Sequence, residues 1–260
     1  IDQDSATPCD HNTMSVTLQT NVPLCARECF AQITISGFDG AVPIVDSDGK
    51  VRLSGGTGAH ASDHNTFAAG PKGLEGYAAW SDTASDKGKG IILYLTCCLE
   101  CGRPYIFSFP VKNPDCAQPA KQIFIESTNT NPATRVAIAQ TQMNYDNNQL
   151  PLSVKYWNAI GGRSQPMEVV EPTWINNTMD SSSTTPCGEN TLSVTLRANV
   201  PLKSNHMIVI DGLTRTASGD DNMTNLTALG GLPACFNATG DWTADGKLRF
   251  TTKEDIAADR

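Results

Sequence analysis

A stretch of seventeen residues occurs twice in the chain, and this repeat constrains the fold more than any other feature. Residues 8–24 are PCDHNTMSVTLQTNVPL, and residues 186–202, 178 positions later, are PCGENTLSVTLRANVPL. Twelve of the seventeen positions are identical without a gap. Chance does not supply such a match within a chain of 260 residues, so each copy is expected to build the same structural unit.

Each copy contains the pattern of a half-buried β-strand. Apolar residues alternate with Ser or Thr at Met14, Val16 and Leu18, and again at Leu192, Val194 and Leu196. A period of two is typical of a strand with one face in the core. The motif Asn-Val-Pro-Leu follows in both copies and ends the strand, because proline lacks the amide that a central ladder needs.

Further segments predict more strands in both copies. A second strand, ITISGF at 33–38, has the counterpart IVIDGL at 208–213, and hairpins begin at Trp80 and Trp242. The Gly-rich stretch between the second strand and the hairpin, residues 39–72 above all, is expected to be a surface loop. The first copy then continues with five predicted strands, within residues 103–114, 121–128, 134–143, 150–157 and 166–175.

No segment has convincing helical periodicity, so the sequence predicts an all-β protein built from tandem immunoglobulin-like β-sandwich modules. The first module is expected at residues 1–128, a β-rich connecting segment that completes the repeat unit at 129–180, and a second, truncated module at 181–260. Because copy two contains no counterpart of the five later strands of copy one, the second module is expected to be incomplete within the chain.

Composition and charge exclude several functions. The net charge is -8 and the basic residues are scattered singly, which argues against nucleic acid as a partner. The longest apolar stretch, residues 90–99, is about half the roughly 20 residues that span a bilayer, so no membrane span is expected. The chain opens on Ile1, as expected of a processed product or a window of a longer repeat array.

Nine cysteines indicate an oxidising, extracellular environment. Two loops of copy one are rich in cysteine, with Cys25 and Cys29 in one and Cys97, Cys98 and Cys101 in the other, whereas their counterparts in copy two contain none. Because both loops contain cysteine in copy one and both lack it in copy two, the sequence predicts two disulfides between them. The sequence leaves open which cysteine of the second loop is not bonded.

The remaining cysteines are also disulfide candidates. Cys9 and Cys187 occupy the same position of the repeat, and Cys116 is the remaining cysteine of copy one. The partner of Cys187 is either Cys235 or a cysteine of another chain. A zinc site at Cys97–Cys101 is the alternative, although structural zinc sites favour two spaced pairs.

The sequence contains no convincing catalytic motif, and no enzyme activity, cofactor or bound metal is expected. His60, Asp63 and His64 lie within five residues and could ligate a metal, but their Gly-flanked stretch is more typical of a solvated loop. Asp46–Gly49 resembles part of a calcium loop that lacks the final bidentate acid, and is expected to be a turn.

Four sequons for N-glycosylation begin at Asn176, Asn222, Asn225 and Asn237. The last three lie in copy two between the second strand and the hairpin that begins at Trp242. The sequence predicts a variable loop there, in which a glycan would face solvent.

The repeated block TPC-x-x-NT-x-SVTL-x-x-NVPL, together with ITISG, YIFSFPVKNP, IFIEST and PMEVVEPTWI, resembles tandem repeats of very large extracellular glycoproteins of microalgae and other microbial eukaryotes. The resemblance implies immunoglobulin-like sandwiches in surface fibrils or flagellar hairs, at the cell surface, and it implies no catalysis. The cysteine-rich insertions of copy one depart from the simpler repeat.

Two functions are therefore expected as alternatives. The first is a structural subunit of an extracellular fibre, in which a strand from a copy of the chain, or from the continuation of the same polypeptide, completes the second module. The second is a secreted adhesin or carbohydrate-binding module, for which residues 39–72 would carry the ligand contacts.

Overall fold

The computed structural model describes residues 1–25, 31–129, 137–143, 165–214, 216, 223–226 and 235–258. The chain forms two compact units, Ile1–Glu171 and Pro172–Arg260, called unit one and unit two below. The division between them lies inside the segment 129–180 that the sequence assigns to a connection. Within that segment Met167 and Val169 are buried in unit one, while the strand that begins at Trp174 belongs to unit two.

The described residues are all-β, as the sequence predicts. Apart from two short 3-10 turns at Gly58–His60 and Asp63–Thr66, they contain no helix. The strands of unit one are β1 (Asp2–Gln3), β2 (His11–Gln19), β3 (Ala31–Ser36), β4 (Val42–Pro43), β5 (Lys50–Arg52), β6 (Ser54–Gly55), β7 (Phe67–Ala68), β8 (Tyr77–Ser85), β9 (Gly88–Leu95), β10 (Pro104–Lys112), β11 (Phe124–Asn129) and β12 (Ile138–Gln142). Those of unit two are β13 (Trp174–Ser181), β14 (Leu192–Ala198), β15 (Met207–Ile210), β16 (Met223–Asn225), β17 (Thr239–Thr243) and β18 (Lys247–Thr251).

The strands that the structure describes in unit one form two antiparallel sheets. The first has the order β1-β2-β10-β4, with β6 also paired to β10. The second has the order β12-β11-β3-β9-β8-β5, with β7 also paired to β9. Both sheets contribute to one apolar core, which is consistent with a β-sandwich.

The alternation in the first copy of the repeat has the predicted consequence. Met14, Val16 and Leu18 of β2 are buried, while Ser15 and Thr17 between them are only half-buried. The predicted strand at 103–114 is β10, and it pairs with β2 along its full length, from Pro104 opposite Gln19 to Lys112 opposite His11.

Aromatic side chains of β10 join the two sheets. Phe109 contacts Phe38, which follows β3, edge to face at a centroid distance of 5.5 Å. Phe107 contacts Phe67 of β7 at 4.9 Å. All four rings are at most 1% exposed, so β10 both extends the first sheet and anchors it to the second.

The stretch at 39–72 differs from the expected surface loop. It contains β4 to β7, and Val51, Leu53 and Phe67 within it are buried. Strands of two or three residues are too short to produce a recognisable period, which is why the pattern of the sequence misses them. The strand predicted at 150–157 lies outside the described residues.

The described strands of unit two form two smaller sheets. β13 pairs with β14, and the other sheet has the order β15-β18-β17-β16. The described core of unit two has three buried members, Ile208, Leu248 and Phe250. Half-buried apolar side chains, including Leu196 of β14, pack against this core. The described core of unit two is thus much smaller than that of unit one.

We expect Phe109→Ala to destabilise unit one by about 3–5 kcal/mol, because the substitution leaves a cavity between the two sheets. Lys112→Ala, at an exposed position of the same strand, is the matched control and is expected to change the unfolding free energy by no more than about 0.5 kcal/mol. Guanidinium unfolding followed by circular dichroism measures both. Equal effects of the two substitutions would contradict the anchoring role of β10.

Candidate functional site

The repeat in the sequence is also a repeat of strand pairing. In unit one Asp2 pairs with Ser15 and Gln3 with Met14, and in unit two the residues 178 positions later, Asp180 with Ser193 and Ser181 with Leu192, pair in the same register. β13 and β14 therefore correspond to β1 and β2. By the same offset, Met179, which precedes Asp180, corresponds to Ile1, which precedes Asp2.

The second sheet repeats in the same way. β3 pairs with β9 through Ile33 opposite Leu93, and β15 pairs with β18 through Ile208 opposite Phe250. The neighbouring hairpin strand follows in both units, with Trp80 opposite Ile91 and Trp242 opposite Leu248. The strand order β3-β9-β8 of unit one is thus reproduced as β15-β18-β17.

The correspondence ends at two strand edges. In unit one β2 lies between β1 and β10, and β3 lies between β9 and β11. In unit two, among the described residues, β14 has β13 on one side and no strand on the side that corresponds to β10. Likewise, β15 pairs with β18, and no described strand lies where β11 lies in unit one. These two edges, of β14 and β15, are called the open edges below.

The side chains beside the edge of β14 are exposed where their counterparts form a core. Val16 is 1% exposed and Ile1 is 3% exposed, whereas Val194 and Met179 at the same positions are 36% and 44% exposed. Met179 and Val194 are directly opposite each other in the β13–β14 ladder, so they form one apolar surface. Trp174 and Ile175 of β13 are also exposed.

The strand that would complete this sheet is defined by unit one. β10 presents Phe109 opposite Met14, Phe107 opposite Val16 and Tyr105 opposite Leu18. Transferred through the repeat, the same three side chains would lie opposite Leu192, Val194 and Leu196. The open edge of β14 therefore fits an extended segment with aromatic residues at every second position.

The cysteine-rich loops are joined as the sequence predicts, by a disulfide between Cys25 and Cys98. The bond lies beside the bridge between Leu24 and Leu99. Cys97 and Cys101 are exposed and not bonded to another cysteine, and the Cys101 thiol lies 3.1 Å from the Asn21 carbonyl oxygen. Cys29 lies outside the described residues, so the second predicted disulfide stays a prediction.

An ion pair occupies the position of this disulfide in unit two. The bridge between Leu202 and Ile256 corresponds to that between Leu24 and Leu99. Lys203 and Asp255 stand where Cys25 and Cys98 stand, and Lys203 Nζ lies 3.7 Å from a carboxylate oxygen of Asp255. The two units therefore use different chemistry to fasten the same pair of loops.

Three further cysteines, Cys9, Cys116 and Cys187, are exposed and carry free thiols. Cys235 is half-buried, and its carbonyl oxygen accepts a hydrogen bond from the amide of Lys253. Cys9 and Cys187 both adopt a positive φ, 58° and 59°, so the turn that holds them is the same in both units.

Asp63 fixes the turn that contains the histidines. Its buried carboxylate accepts hydrogen bonds from an Arg103 guanidinium nitrogen and from the Ile106 amide, each at 3.0 Å, and lies 2.7 Å from His60 Nδ1. These contacts tie the turn to β10. In the described part of the chain, no group of three or more His, Cys, Asp or Glu side chains could hold a metal ion.

Two other expected features have local roles. The carboxylate of Asp46 accepts hydrogen bonds from the amides of Asp48 and Lys50, which makes Asp46–Gly49 a turn. Phe67, the one aromatic residue of the segment 39–72, is buried against Phe107.

The sequons occupy different environments. Asn176 is exposed on β13, and Asn237 is exposed and donates a hydrogen bond to the Thr251 hydroxyl. Asn225 lies on β16, a strand within the segment that the sequence assigns to a loop, and Asn222 lies outside the described residues.

Comparison with known proteins finds no family model and no curated protein whose sequence matches the chain. Among the residues that the structure describes, no helix is long and apolar enough to cross a membrane.

The equivalence of Cys25–Cys98 and Lys203–Asp255 can be tested by transplanting the disulfide. We expect the double variant Lys203→Cys/Asp255→Cys to form that bond when oxidised and to stabilise unit two by about 2–4 kcal/mol. The control is Lys203→Cys with Glu254→Cys, one residue before the position that corresponds to Cys98 in the register of the two bridges. Non-reducing mass spectrometry and thermal unfolding measure the outcome, and a bond in the control at equal yield would contradict the register.

Proposed function

We propose that this chain is a structural subunit of an extracellular fibre or cell-surface filament. In this proposal its units are tandem immunoglobulin-like sandwich modules, and unit two is completed by β-strands of a neighbouring module or chain. One observation carries the proposal: Val194 and Met179 are exposed at positions where unit one, in which β10 pairs with β2, buries Val16 and Ile1.

The physical reason is the cost of an unfinished sheet. An unpaired strand edge exposes amide and carbonyl groups that can pair with another chain, and folded proteins cover or charge such edges. The edge of β14 carries neither Pro nor a charge between Leu192 and Leu196. Addition of a strand supplies backbone hydrogen bonds, and the apolar side chains determine which strand fits.

The geometry of such a contact favours a polymer. The acceptor is unit two and the donor segment is of the β10 type, so the two partners use different surfaces. A contact between different surfaces that does not close into a ring extends into a filament. N-linked glycans at exposed sequons such as Asn176 and Asn237 would be compatible with a surface location.

A disulfide supports the extracellular location, and a resemblance of the sequence supports the fibrous assembly. The Cys25–Cys98 disulfide is typical of proteins from oxidising compartments. The resemblance of the repeat to the extracellular glycoproteins of microbial eukaryotes suggests surface fibrils or flagellar hairs as the kind of assembly. On this proposal the chain has no catalytic role.

The test is strand addition to the intact chain. A synthetic peptide of residues 103–114 is expected to bind the full chain with a stoichiometry of one, measured by isothermal titration calorimetry, and to protect amides of β14 from hydrogen exchange. A peptide of the same composition in scrambled order is the first control. If the native peptide binds no better than the scrambled one, the proposed acceptor is wrong.

Two variants of the chain make the test specific for the apolar face. Val194→Asp places a carboxylate where Phe107 of the peptide would pack, and we expect it to weaken binding by about tenfold or more. Ser193→Asp adds the same charge on the opposite face of β14 and is expected to change the affinity by less than about threefold. Equal losses would indicate an electrostatic effect and contradict strand addition.

The assembly can be tested directly on the native material. Negative-stain electron microscopy of protein from its source is expected to show filaments with an axial repeat. Uniform single particles of the size of one chain would contradict the fibre.

A further inference from the structure

Cys9 and Cys116 lie at the end of the ladder that joins β2 and β10. Beyond the last pair, His11 and Lys112, the two chains stay antiparallel, because the Asn113 amide donates to the Asp10 carbonyl oxygen at 2.9 Å. The Cys9 amide then donates to the Pro114 carbonyl oxygen, also at 2.9 Å. Cys116 follows two residues later, so the backbone brings the two cysteines to one end of the sheet.

The side chains around this end hold the two segments together. The Asn113 amide group donates hydrogen bonds to the carbonyl oxygens of Ser5 and Thr7 and accepts one from the side chain of Asn12. Cys9 itself has a positive φ of 58°, an unusual conformation for cysteine that the surrounding hydrogen bonds maintain. The position of Cys9 is therefore fixed relative to β10 rather than free.

The thiols of Cys9 and Cys116 are accessible and close enough to interact. Both are exposed. A hydrogen bond to Asp115 and the charge of that carboxylate raise the pKa of the Cys116 thiol, and the charge of a Cys9 thiolate raises it further. Loss of the Cys116 proton is therefore less favourable than for an ordinary cysteine, which makes Cys116 the less reactive nucleophile in thiol–disulfide exchange.

We propose that Cys9 and Cys116 form a disulfide that joins the segments before β2 and after β10, beyond the last pair of their ladder, His11 and Lys112. Glutathione disulfide serves as the oxidant: the thiolate of one cysteine attacks it and releases one glutathione, and the second cysteine then displaces the other. Two protein thiols lose two protons and two electrons, and one glutathione disulfide becomes two glutathione molecules.

The bond is tested by peptide mapping of the full chain after equilibration in a glutathione redox buffer, without reduction. We expect a linked pair of fragments that contain Cys9 and Cys116, and the loss of this pair in Cys9→Ser. The variant Cys101→Ser, which removes another exposed thiol, is the control and should leave the linked pair unchanged. Fragments in which Cys9 stays reduced, or is bonded elsewhere, after full oxidation would overturn the proposal.

The same chemistry has a counterpart in unit two, and this part of the inference rests on the proposed function. Cys187 repeats Cys9, with φ of 59°, and its exposed thiol precedes β14 in the chain as Cys9 precedes β2. A completing strand of the β10 type carries its own cysteine four residues after its end, as Cys116 follows Lys112. That cysteine would reach Cys187 and convert the strand contact into a covalent link between modules.

A peptide of residues 103–117 tests the link, used with a full chain that carries Cys9→Ser and Cys116→Ser. In oxidised glutathione we expect a mixed disulfide at Cys187, at about tenfold or more the yield at the exposed Cys101, because strand binding raises the local thiol concentration. Yields that are equal at the two positions would overturn the covalent link.

A second peptide separates this result from the proposed function. The same peptide with Cys116→Ser cannot form the bond but retains the strand. If it binds while the cysteine peptide gives no excess at Cys187, the link alone is wrong. If neither peptide binds, the proposed acceptor edge is wrong as well.

Discussion

The pairing of β10 with β2 is the interaction on which the rest of unit one depends. β10 forms nine backbone pairs with β2 and also contacts β4 and β6 on its other side. Its Phe107 and Phe109 reach across to the second sheet, where they pack against Phe67 and Phe38. A single strand therefore supplies the centre of one sheet and the aromatic contacts to the other, and the turn at Asp63 is tied to it by hydrogen bonds to Arg103 and Ile106.

Unit two presents the same framework without that strand among its described residues. The register of β13 with β14 and the order of β15, β18 and β17 reproduce unit one. What differs is burial: among the described residues of unit two, three are buried in its core, and apolar positions such as Val194 stay exposed. Hydrophobic burial is roughly proportional to the area removed from water, so this apolar face is available to stabilise an association. That is why the open edges, and not a pocket, are the candidate site.

Equivalent loops are joined by different chemistry in the two units, although the strand pairing around them is the same. The disulfide of Cys25 with Cys98 and the ion pair of Lys203 with Asp255 occupy the same place beside the same bridge. A disulfide constrains the unfolded chain, whereas an exposed ion pair adds about 0–1 kcal/mol. At this place unit one is therefore held by a covalent bond and unit two by a weaker ion pair.

Features that arise from short-range periodicity, and features that differ between the two copies, can be predicted from the amino-acid sequence alone. The alternation of Met14, Val16 and Leu18 predicted a strand and its buried face, and the paired presence of cysteines in two loops predicted a bond between them. Three other features depend on long-range packing: Cys98 is the partner of Cys25, the stretch at 39–72 pairs through very short strands, and Val194 is exposed although it repeats Val16. The physical reason is that side-chain period is a local property of the chain, whereas burial and bonding depend on which distant strand lies alongside.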